Sequence, residues 1–339
     1  MLFTKKPSAR AIEFFAIGDI VTEPFIRLTE ATVRPGEHGE EQQLCMAFGE
    51  KLPYESATVV AAVGNAANAA VAAARLGLSS ALRAYVGDDR YGAEMLETLE
   101  GERVSTEYMV TEKGKKSNYH YVLWYGNERT ILVKHEDFSY SVPQMKVSPK
   151  WVYLSSLAAN SKPYHDALVA WLSEHPESKL AFQPGTFQMK LGVDTLKHLY
   201  ARTDFFVCNK EEAARILEIA LTDDIKMLLQ GLAALGPKIV VVTDGTNGAY
   251  AYDGSHFLRV PMYPDDRGPF ERTGAGDAFA SSVTAALALG KPLEEALLWG
   301  PINSMSVVQE VGAQKGLLTR EALEKHLADA PSSYTITEF

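Results

Sequence analysis

A carboxylate follows two glycines at the place where a flexible loop leads into an apolar segment. The loop is residues 272–279, Arg-Thr-Gly-Ala-Gly-Asp-Ala-Phe, and the alanine-rich residues 278–289 predict a buried helix. Gly274 and Gly276 then lie at the amino end of that helix, where unpaired N–H groups and the helix dipole attract an anion. Asp277 would lie beside that anion. Alone, the pattern fits a tight turn with a dipole-complementing acid equally well.

Polar side chains also occur at the ends of predicted elements nearer the amino terminus. Asp19 follows an apolar strand in residues 11–21, and it is either a ligand or a turn residue. Asn65 and Asn68 open an alanine-rich helix over residues 63–77. An amide near a closely packed helix start needs a hydrogen-bond partner, so these two side chains indicate a binding site.

A second group of polar residues follows two later strands. Asn209 and Glu212 come after the strand at 204–208, in the spacing of a helix capping box, which needs no ligand. A metal or phosphate role is the alternative interpretation. Thr243 ends the strand at 238–243 before a glycine turn, where it is either a phosphate contact or an ordinary β-branched residue.

Composition excludes several classes of protein. The chain has 339 residues, of which 46% are hydrophobic, and this predicts a large core. A formal net charge of −10 argues against nucleic acid or an anionic membrane surface as a partner. Cys45 and Cys208 are the only cysteines, and their spacing indicates neither a disulfide framework nor a thiolate zinc site, so a reducing cytoplasm is expected.

Targeting and metal motifs are not expected either. The apolar stretch that follows residues 1–7 is short for a signal peptide, and no uncharged apolar run reaches the roughly eighteen residues of a membrane span. The eight histidines form neither His-x-x-x-His nor His-Glu-x-x-His, which argues against a catalytic zinc site.

Strands and helices alternate along most of the chain, with two interruptions. Residues 22–58 and 117–135 are rich in β-prone pieces, and the second interruption contains a predicted hairpin over 117–125 and 129–134. Together they predict a small accessory sheet that serves as a lid or a dimer surface.

Taken in order, the motifs resemble those of the ribokinase-like (PfkB) family of sugar and nucleoside kinases. They are Gly18-Asp19, Gly64-Asn65-x-x-Asn68, Asn209-x-x-Glu212, Thr243-Asp244-Gly245-x-x-Gly248 and Gly274-Ala275-Gly276-Asp277. The resemblance covers nearly the whole chain. It implies one three-layer α/β/α domain over residues 1–339, with a largely parallel central sheet and a small inserted β lid. It also implies transfer of the γ-phosphoryl group of ATP to a primary hydroxyl of a small sugar.

The resemblance assigns a role to each motif. Asp277 would accept the hydroxyl proton, and the N–H groups of Gly274, Ala275 and Gly276 would form an anion hole. The nucleotide side would comprise Asn209, Thr243, Gly245, Gly248 and, beside the adenine, Asn303, with Glu212 organising Mg²⁺ through water. The substrate side would comprise Asp19, Glu23, Gly64, Asn65 and Asn68.

The sequence departs from the family pattern at several positions. Val63 replaces a glycine, and Glu23 stands where an aspartate usually binds substrate hydroxyls, so the preferred sugar is left open. Glu271 and Arg272 replace the usual Asp-Thr at the family's monovalent-cation site, which leaves a requirement for K⁺ open. Gln-Pro-Gly at 183–185 replaces Asp-Pro-Asn.

The sequence leaves two other functions open, and it also predicts an assembly. Asn65 and Asn68, with the aromatic residues Tyr119, Tyr121 and Trp124, suggest a nucleoside kinase of the same fold. The altered substrate motifs suggest a catalytically silent ligand-sensing module. The aromatic hairpin also predicts a homodimer formed through the lid.

Overall fold

The computed structural model describes residues 11–36 and 42–339 of the chain. The amino-terminal segment and the polar stretch at 37–41, which belongs to the first predicted interruption, lie outside the described residues. The strands are β1 (Phe14–Ile17), β2 (Val21–Leu28), β3 (Thr32–Pro35), β4 (Gln42–Cys45), β5 (Tyr54–Val63), β6 (Ser80–Arg83), β7 (Tyr85–Gly87), β8 (Val110–Glu112), β9 (Tyr121–Tyr125), β10 (Glu128–Leu132), β11 (Trp151–Leu154), β12 (Lys179–Phe182), β13 (Phe205–Asn209), β14 (Ile239–Thr243), β15 (Ala249–Tyr252), β16 (Phe257–Val260) and β17 (Thr337–Glu338). The α-helices are α1 (Asn65–Arg75), α2 (Arg90–Gly101), α3 (Lys162–Glu174), α4 (Thr186–Leu191), α5 (Val193–Arg202), α6 (Lys210–Ile216), α7 (Ile225–Ala234), α8 (Ala275–Ala288), α9 (Leu293–Val307) and α10 (Arg320–Ala328).

A nine-stranded sheet forms the middle layer, in the order β17-β16-β15-β14-β13-β12-β11-β1-β6. The strands from β6 to β14 in this order pair in parallel, and β15, β16 and β17 add antiparallel partners at one edge. Parallel pairing brings the carboxyl ends of these strands to one edge of the sheet, where ligands bind in open α/β folds.

Alternate side chains of the sheet pack against helices on its two faces. Phe14 and Ala16 of β1 join the core cluster built from α1, α2, α8, α9 and α10. Phe15 and Ile17 point the other way and pack with α3, α5, α6 and α7. The predicted three-layer α/β/α architecture with a largely parallel sheet is confirmed.

A four-stranded sheet in the order β10-β9-β2-β5, called the small sheet below, adjoins this core. β9 and β10 form the predicted antiparallel hairpin, β2 pairs with β9 in parallel, and β2 pairs with β5 in antiparallel orientation. The small sheet therefore joins strands that are distant in sequence. Its role as a lid stays a prediction.

The small sheet begins earlier than the sequence predicts. Residues 11–21 were expected to form one strand, but β1 ends at Ile17 and β2 begins at Val21. The Gly18 N–H still donates to the Arg83 carbonyl oxygen at 3.2 Å, beside the central sheet. From Val21 the chain pairs with the end of β5 instead. The two sheets consequently meet at the connection that carries Asp19.

None of the helices within residues 11–36 and 42–339 combines the length and the apolar character needed to cross a bilayer. The location in a reducing cytoplasm stays a prediction from the sequence.

Candidate active site

The glycine turn before α8 has a backbone that only glycine adopts easily. Gly274 has φ of 85°, in the left-handed region, and a methyl group there would overlap the Cβ of Ala313. Helix α8 then begins at Ala275, three residues earlier than the sequence predicts, so Asp277 lies in its first turn. The first N–H groups of an α-helix have no partner within the helix. The Ala275 N–H makes one long hydrogen bond, of 3.5 Å, to the Arg272 carbonyl oxygen, whereas no described residue accepts from the N–H groups of Gly274 and Gly276, so the turn presents free donors next to a carboxylate.

Three amide side chains hold the carboxylate of Asp277. Oδ1 accepts from Asn65 Nδ2 at 2.8 Å and from Gln183 Nε2 at 3.0 Å, and Oδ2 accepts from Asn68 Nδ2 at 2.8 Å. Asn65 and Asn68 were predicted to bind substrate, and the structure brings both to the predicted base. Gln183 completes the set from the carboxyl end of β12. The carboxylate is thus fixed by three donors from two elements, two from the start of α1 and one from the end of β12.

A second layer of contacts orients two of these amides. The Tyr153 hydroxyl donates to Gln183 Oε1, and Gln314 Nε2 donates to Asn68 Oδ1 at 3.0 Å. Gln314 also donates to the carbonyl oxygen of Ala62 at 2.8 Å, which ties it to the end of β5. Because each amide oxygen already accepts a hydrogen bond, each amide nitrogen must face Asp277.

The environment of Asp277 changes its proton affinity. Burial raises the pKa of this carboxyl above its ordinary value, and the negative charge of Glu23 adds to the rise, whereas the hydrogen bonds from Asn68, Gln183 and Asn65 lower the pKa. The raised pKa makes the ionised carboxylate a stronger base than an exposed aspartate.

Gly64 brings the start of α1 close to the predicted substrate residue Asp19. Its φ is 115°, and a Cβ there would lie 2.8 Å from the Asp19 carbonyl oxygen. No other residue type fits this approach without moving the backbone. The structure therefore places the Asp19 backbone beside the start of the helix that carries Asn65 and Asn68, and a shared substrate role for the three stays a prediction.

The side chain of Asp19 lies against an aromatic hydroxyl and an imidazole. Tyr140 donates its hydroxyl to Oδ1 at 2.6 Å, and His135 Nδ1 lies 3.3 Å from Oδ2. Burial and the neighbouring charge of Asp19 raise the pKa of Tyr140 far above its ordinary value, so Tyr140 is a donor. Asp19 is thus a buried acid with two polar neighbours, and its contact with a substrate stays a prediction.

Glu23 occupies the inner face of the small sheet. It pairs with Val60 across β2 and β5, and its Oε1 lies 3.6 Å from Nδ1 of His120. The His120 N–H donates to the Thr22 carbonyl oxygen at 3.1 Å, which aligns the two chain segments. Glu23 and His120 are both buried.

The nucleotide-side residues form a helix cap. Asn209 Oδ1 accepts from the Glu212 N–H at 2.8 Å, and Glu212 Oε2 accepts from the Asn209 N–H at 3.0 Å. The predicted capping box is confirmed. Burial is the main cause of the raised pKa of Glu212, and the negative charge of Asp277 contributes, so the two carboxylates are within electrostatic reach. No described residue donates to the other oxygen of Glu212, which leaves it free for a ligand.

Thr243 lies beside Asn209, because the two residues are register partners at the ends of β14 and β13. A short 3₁₀ turn from Gly245 to Asn247 follows, and Gly248 leads into β15. These residues are contiguous at the carboxyl edge of the sheet. Sequence reasoning missed Lys210, whose Nζ lies 3.2 Å from Asp244 Oδ1 in the same place.

Asn303 does not share this edge. Its side chain is fully buried, Nδ2 donates to Ser282 Oγ at 2.7 Å, and Oδ1 accepts from the Leu318 N–H at 2.9 Å. The amide joins α8, α9 and the following segment inside the core. The expected contact with adenine is not supported by this arrangement, since both ends of the amide are already paired.

Glu271 keeps a buried carboxylate at the family's monovalent-cation position. Oε1 accepts from the N–H of Thr273 at 2.8 Å and from its hydroxyl at 2.5 Å, whereas Oε2 is shielded from solvent and has no hydrogen-bond partner. A buried carboxylate oxygen without a donor favours a cation as its partner.

Several site residues were not predicted from the sequence. Gln183 had a signal, because it follows a parallel strand at the ligand-binding edge. His120 and His135 had none, since they flank the hairpin of β9 and β10, which is joined to β2 through the parallel pairing of β2 with β9.

The chain matches known proteins over most of its length. The family model of the pfkB family carbohydrate kinases matches residues 38–320. The ribokinase of Bacillus subtilis is 29% identical over 274 aligned residues, which cover 78% of this chain and 87% of that protein.

Solved structures show the same fold. The ribokinase of Arabidopsis thaliana, complexed with ribose and ATP, has a TM-score of 0.76 at 19% identity and covers 94% of this chain and 99% of its own. The nucleoside kinase of Methanocaldococcus jannaschii has a TM-score of 0.73 at 19% identity and covers 95% of this chain and 100% of its own. The predicted ribokinase-like fold is confirmed.

Proposed function

The chain belongs to the pfkB family of carbohydrate kinases, and on that premise we propose that it transfers the γ-phosphoryl group of ATP to a primary hydroxyl of a small sugar. The observation that carries the proposal is the carboxylate of Asp277, held by three amides beside the unpaired N–H groups at the start of α8.

The proposed reaction is an in-line displacement. The acceptor hydroxyl gives its proton to Asp277 while its oxygen forms a bond to the γ-phosphorus, and the bond from that phosphorus to the β–γ bridging oxygen breaks as ADP leaves with the electron pair. The N–H groups of Gly274, Ala275 and Gly276 are proposed to stabilise the charge on the transferring group. Such transfer needs positioning and charge stabilisation more than covalent help.

Magnesium fits the residues on the nucleotide side. In the described ranges no group of three or more His, Cys, Asp or Glu side chains is arranged to hold a metal. The donor set near Asn209 instead offers the free carboxylate oxygen of Glu212, which suits an ion that keeps much of its water and binds mainly to phosphates. Bound there, Mg²⁺ would neutralise phosphate charge. Thr243, Gly245 and Gly248 are proposed to contact the nucleotide phosphates.

A monovalent cation is proposed at Glu271, because its Oε2 is buried without a donor. If the proposal is right, K⁺ raises turnover and Glu271→Gln removes that response. A turnover rate that is equal in K⁺ and in a buffer with only a bulky organic cation would contradict it.

The direct test of the proposed function is ADP release from ATP and Mg²⁺ with a panel of sugars. We expect at least one sugar to raise ADP release well above the rate measured without acceptor. A panel of sugars and nucleosides that leaves ADP release at that background rate would support the catalytically silent alternative instead.

A nucleoside acceptor is the second candidate. The fold resembles the Methanocaldococcus jannaschii nucleoside kinase about as closely as the ribokinases. Two of the three residues expected to stack on a base are engaged elsewhere, however. Trp124 is buried beneath Arg27, whose guanidinium lies 4.6 Å from its ring, and Tyr119 packs on Tyr91 at 4.7 Å. Adenosine and cytidine in the same panel distinguish the two candidates.

We also propose that the small sheet forms a homodimer. Tyr121 and Leu132 are cross-strand partners, and they are 46% and 52% exposed, whereas the neighbouring Val122 points into the core. Val59 of β5 is 56% exposed as well. Apolar side chains exposed together favour an interface. Sedimentation should give a dimer that Leu132→Glu dissociates, and a monomer at high concentration would contradict the proposal.

A further inference from the structure

Two carboxylates on the acceptor side of the site each lie against an imidazole. Asp19 Oδ2 is 3.3 Å from His135 Nδ1, and Glu23 Oε1 is 3.6 Å from His120 Nδ1. The two imidazole rings contact each other edge to face, with centroids 5.0 Å apart. The four side chains therefore form one continuous polar cluster, called the acid–imidazole cluster below.

The acid–imidazole cluster adjoins the base. The His135 ring lies 5.4 Å from the ring of Phe187, which stands in α4 just after Gln183, a donor to Asp277. Glu23 is close enough to Asp277 for its charge to oppose ionisation of the base. The backbone of Asp19 also approaches Gly64, next to Asn65, so the cluster adjoins the helix start whose amides hold Asp277.

Several polar atoms of the acid–imidazole cluster have no well-formed hydrogen bond. Asp19 Oδ2 and His135 Nδ1 are shielded from solvent and lie 3.3 Å apart without hydrogen-bond geometry, and His120 Nε2 is shielded and has no hydrogen-bond partner among the described residues. Asp19 and His120 are only 7% and 8% exposed. Buried polar atoms are normally paired, so these atoms call for hydroxyl groups that both donate and accept hydrogen bonds.

The charge of the site is negative. In the described part of the chain, neither lysine nor arginine forms an ion pair with Asp19, Glu23 or Asp277, and the partners of the first two are histidines. Three carboxylates outnumber two imidazoles, so the site stays negative even when both imidazoles carry a proton. Arg27, on the same strand as Glu23, pairs with the exposed Glu55 instead.

We infer that the acid–imidazole cluster restricts the acceptor to an uncharged polyhydroxylated molecule and rejects sugar acids and sugar phosphates. This inference rests on the proposed function, because it concerns the acceptor of the same phosphoryl transfer. Hydroxyl groups of a neutral acceptor donate to Asp19 and Glu23 and accept from the imidazole N–H groups. A carboxylate or phosphate on the acceptor would lie against carboxylates that no lysine or arginine of the described residues pairs with.

Matched acceptors test the inference directly. We would compare ribose with ribonate, glucose with gluconate, and fructose with fructose 6-phosphate, since each anion keeps a primary hydroxyl of its neutral partner. Adenosine and cytidine extend the neutral set. We expect kcat/KM for the best neutral acceptor to exceed that for any anion by on the order of 100-fold, the size of an uncompensated like-charge contact.

Variants identify the residues responsible. Glu23→Gln and Asp19→Asn keep the shape of the side chains and remove one charge, so each should narrow the ratio of neutral to anionic kcat/KM by about tenfold. Glu55→Gln is the matched control, because it removes an exposed carboxylate from β5 of the same sheet. A merely structural role would lower both rates together and leave the ratio unchanged.

Calorimetry with an ATP analogue that cannot be cleaved separates this inference from the proposed function. Neutral acceptors that bind without any turnover would overturn the kinase proposal and support the inference. An anion turned over as well as its neutral partner would overturn the inference and leave the kinase proposal intact. A panel in which no neutral acceptor binds would overturn the inference too.

Discussion

The proposed nucleotide side and the proposed acceptor side of the site are built in opposite ways. On the nucleotide side, Asn209 and Glu212 bond each other three residues apart, within one helix start. On the acceptor side, Asn65 reaches Asp277 across 212 residues of sequence. The first half is held by local chain geometry and the second by packing of distant elements. In the proposed reaction, local structure would therefore bind the phosphoryl donor, ATP, and long-range contacts would set the orientation and the pKa of the Asp277 carboxylate.

The two carboxylates of the site show what this difference does. Burial raises the pKa of both Glu212 and Asp277. Glu212 is bonded by its own helix cap and keeps one oxygen free, whereas both oxygens of Asp277 accept from side chains of other elements. This arrangement agrees with the proposed roles, in which Glu212 binds a ligand and Asp277 accepts a proton. Changes on the two sides should alter different kinetic constants.

The largest effect is expected from Asp277→Asn. An amide cannot accept the hydroxyl proton, so kcat should fall by about 10²- to 10⁴-fold while ATP still binds. Stopped-time ADP assays and nucleotide calorimetry measure the two quantities. Asp166→Asn, in an exposed pair with Lys162, is the control. An unchanged kcat in Asp277→Asn would show that Asp277 is not the residue that accepts the hydroxyl proton.

Glu212→Gln should affect the proposed nucleotide side and weaken the use of Mg²⁺. Glutamine still accepts from the Asn209 N–H, so the helix cap survives while the charge is lost. We expect the Mg²⁺ concentration for half-maximal rate to rise by about 10- to 100-fold, with the acceptor KM unchanged. Glu211→Gln removes the exposed acid next to it in α6 as a control. A change in the acceptor KM without a change in the Mg²⁺ response would contradict the view that the two sides of the site affect different kinetic constants.

A smaller change is expected in the pH dependence of Asn65→Ala. Asp277 acts only when ionised, and its pKa is raised by burial, so kcat falls as the pH drops through that raised pKa. The hydrogen bond from Asn65 lowers the pKa. Its removal should therefore move the acid limb of the kcat profile to higher pH. Asn160→Ala removes an exposed amide that donates to the Phe138 carbonyl oxygen, and its profile should match the wild type.

The smallest effect is expected from Thr243→Val, which removes a hydroxyl and keeps the β-branched shape. Loss of one neutral hydrogen bond to a phosphate should raise the KM for ATP by about 2- to 10-fold. Thr243→Ser should keep the wild-type value. Equal KM values for the two variants would show that the hydroxyl does not contact the nucleotide.

The difference between locally held and long-range features also explains which parts of the site could be predicted from the sequence. The capping box at Asn209 and Glu212 and the turn before Asp277 are local patterns, so their spacing is visible in the chain. The alternation of strands and helices likewise predicts the three layers. The positions of both halves at one sheet edge follow from parallel pairing.

Long-range features could not be predicted in this way. His120 and His135 join the site through pairing of β2 with β9, and no local pattern specifies that register. Asn303 shows the converse error, because its position in the family pattern suggests a ligand contact while packing of α8 on α9 buries it. Tertiary contacts decide both cases.

The hydrogen bond from Gln314 to Asn68 has a consequence for the synthesis of the protein. Gln314 lies 246 residues after Asn68, and Asp277 lies 209 residues after it. A nascent chain grows from its amino end, so α1 emerges from the ribosome long before either partner exists. In a chain that stops short of residue 314, Asn68 would lack the donor to its side-chain oxygen, so the proposed base Asp277 is fully set only when synthesis is almost complete.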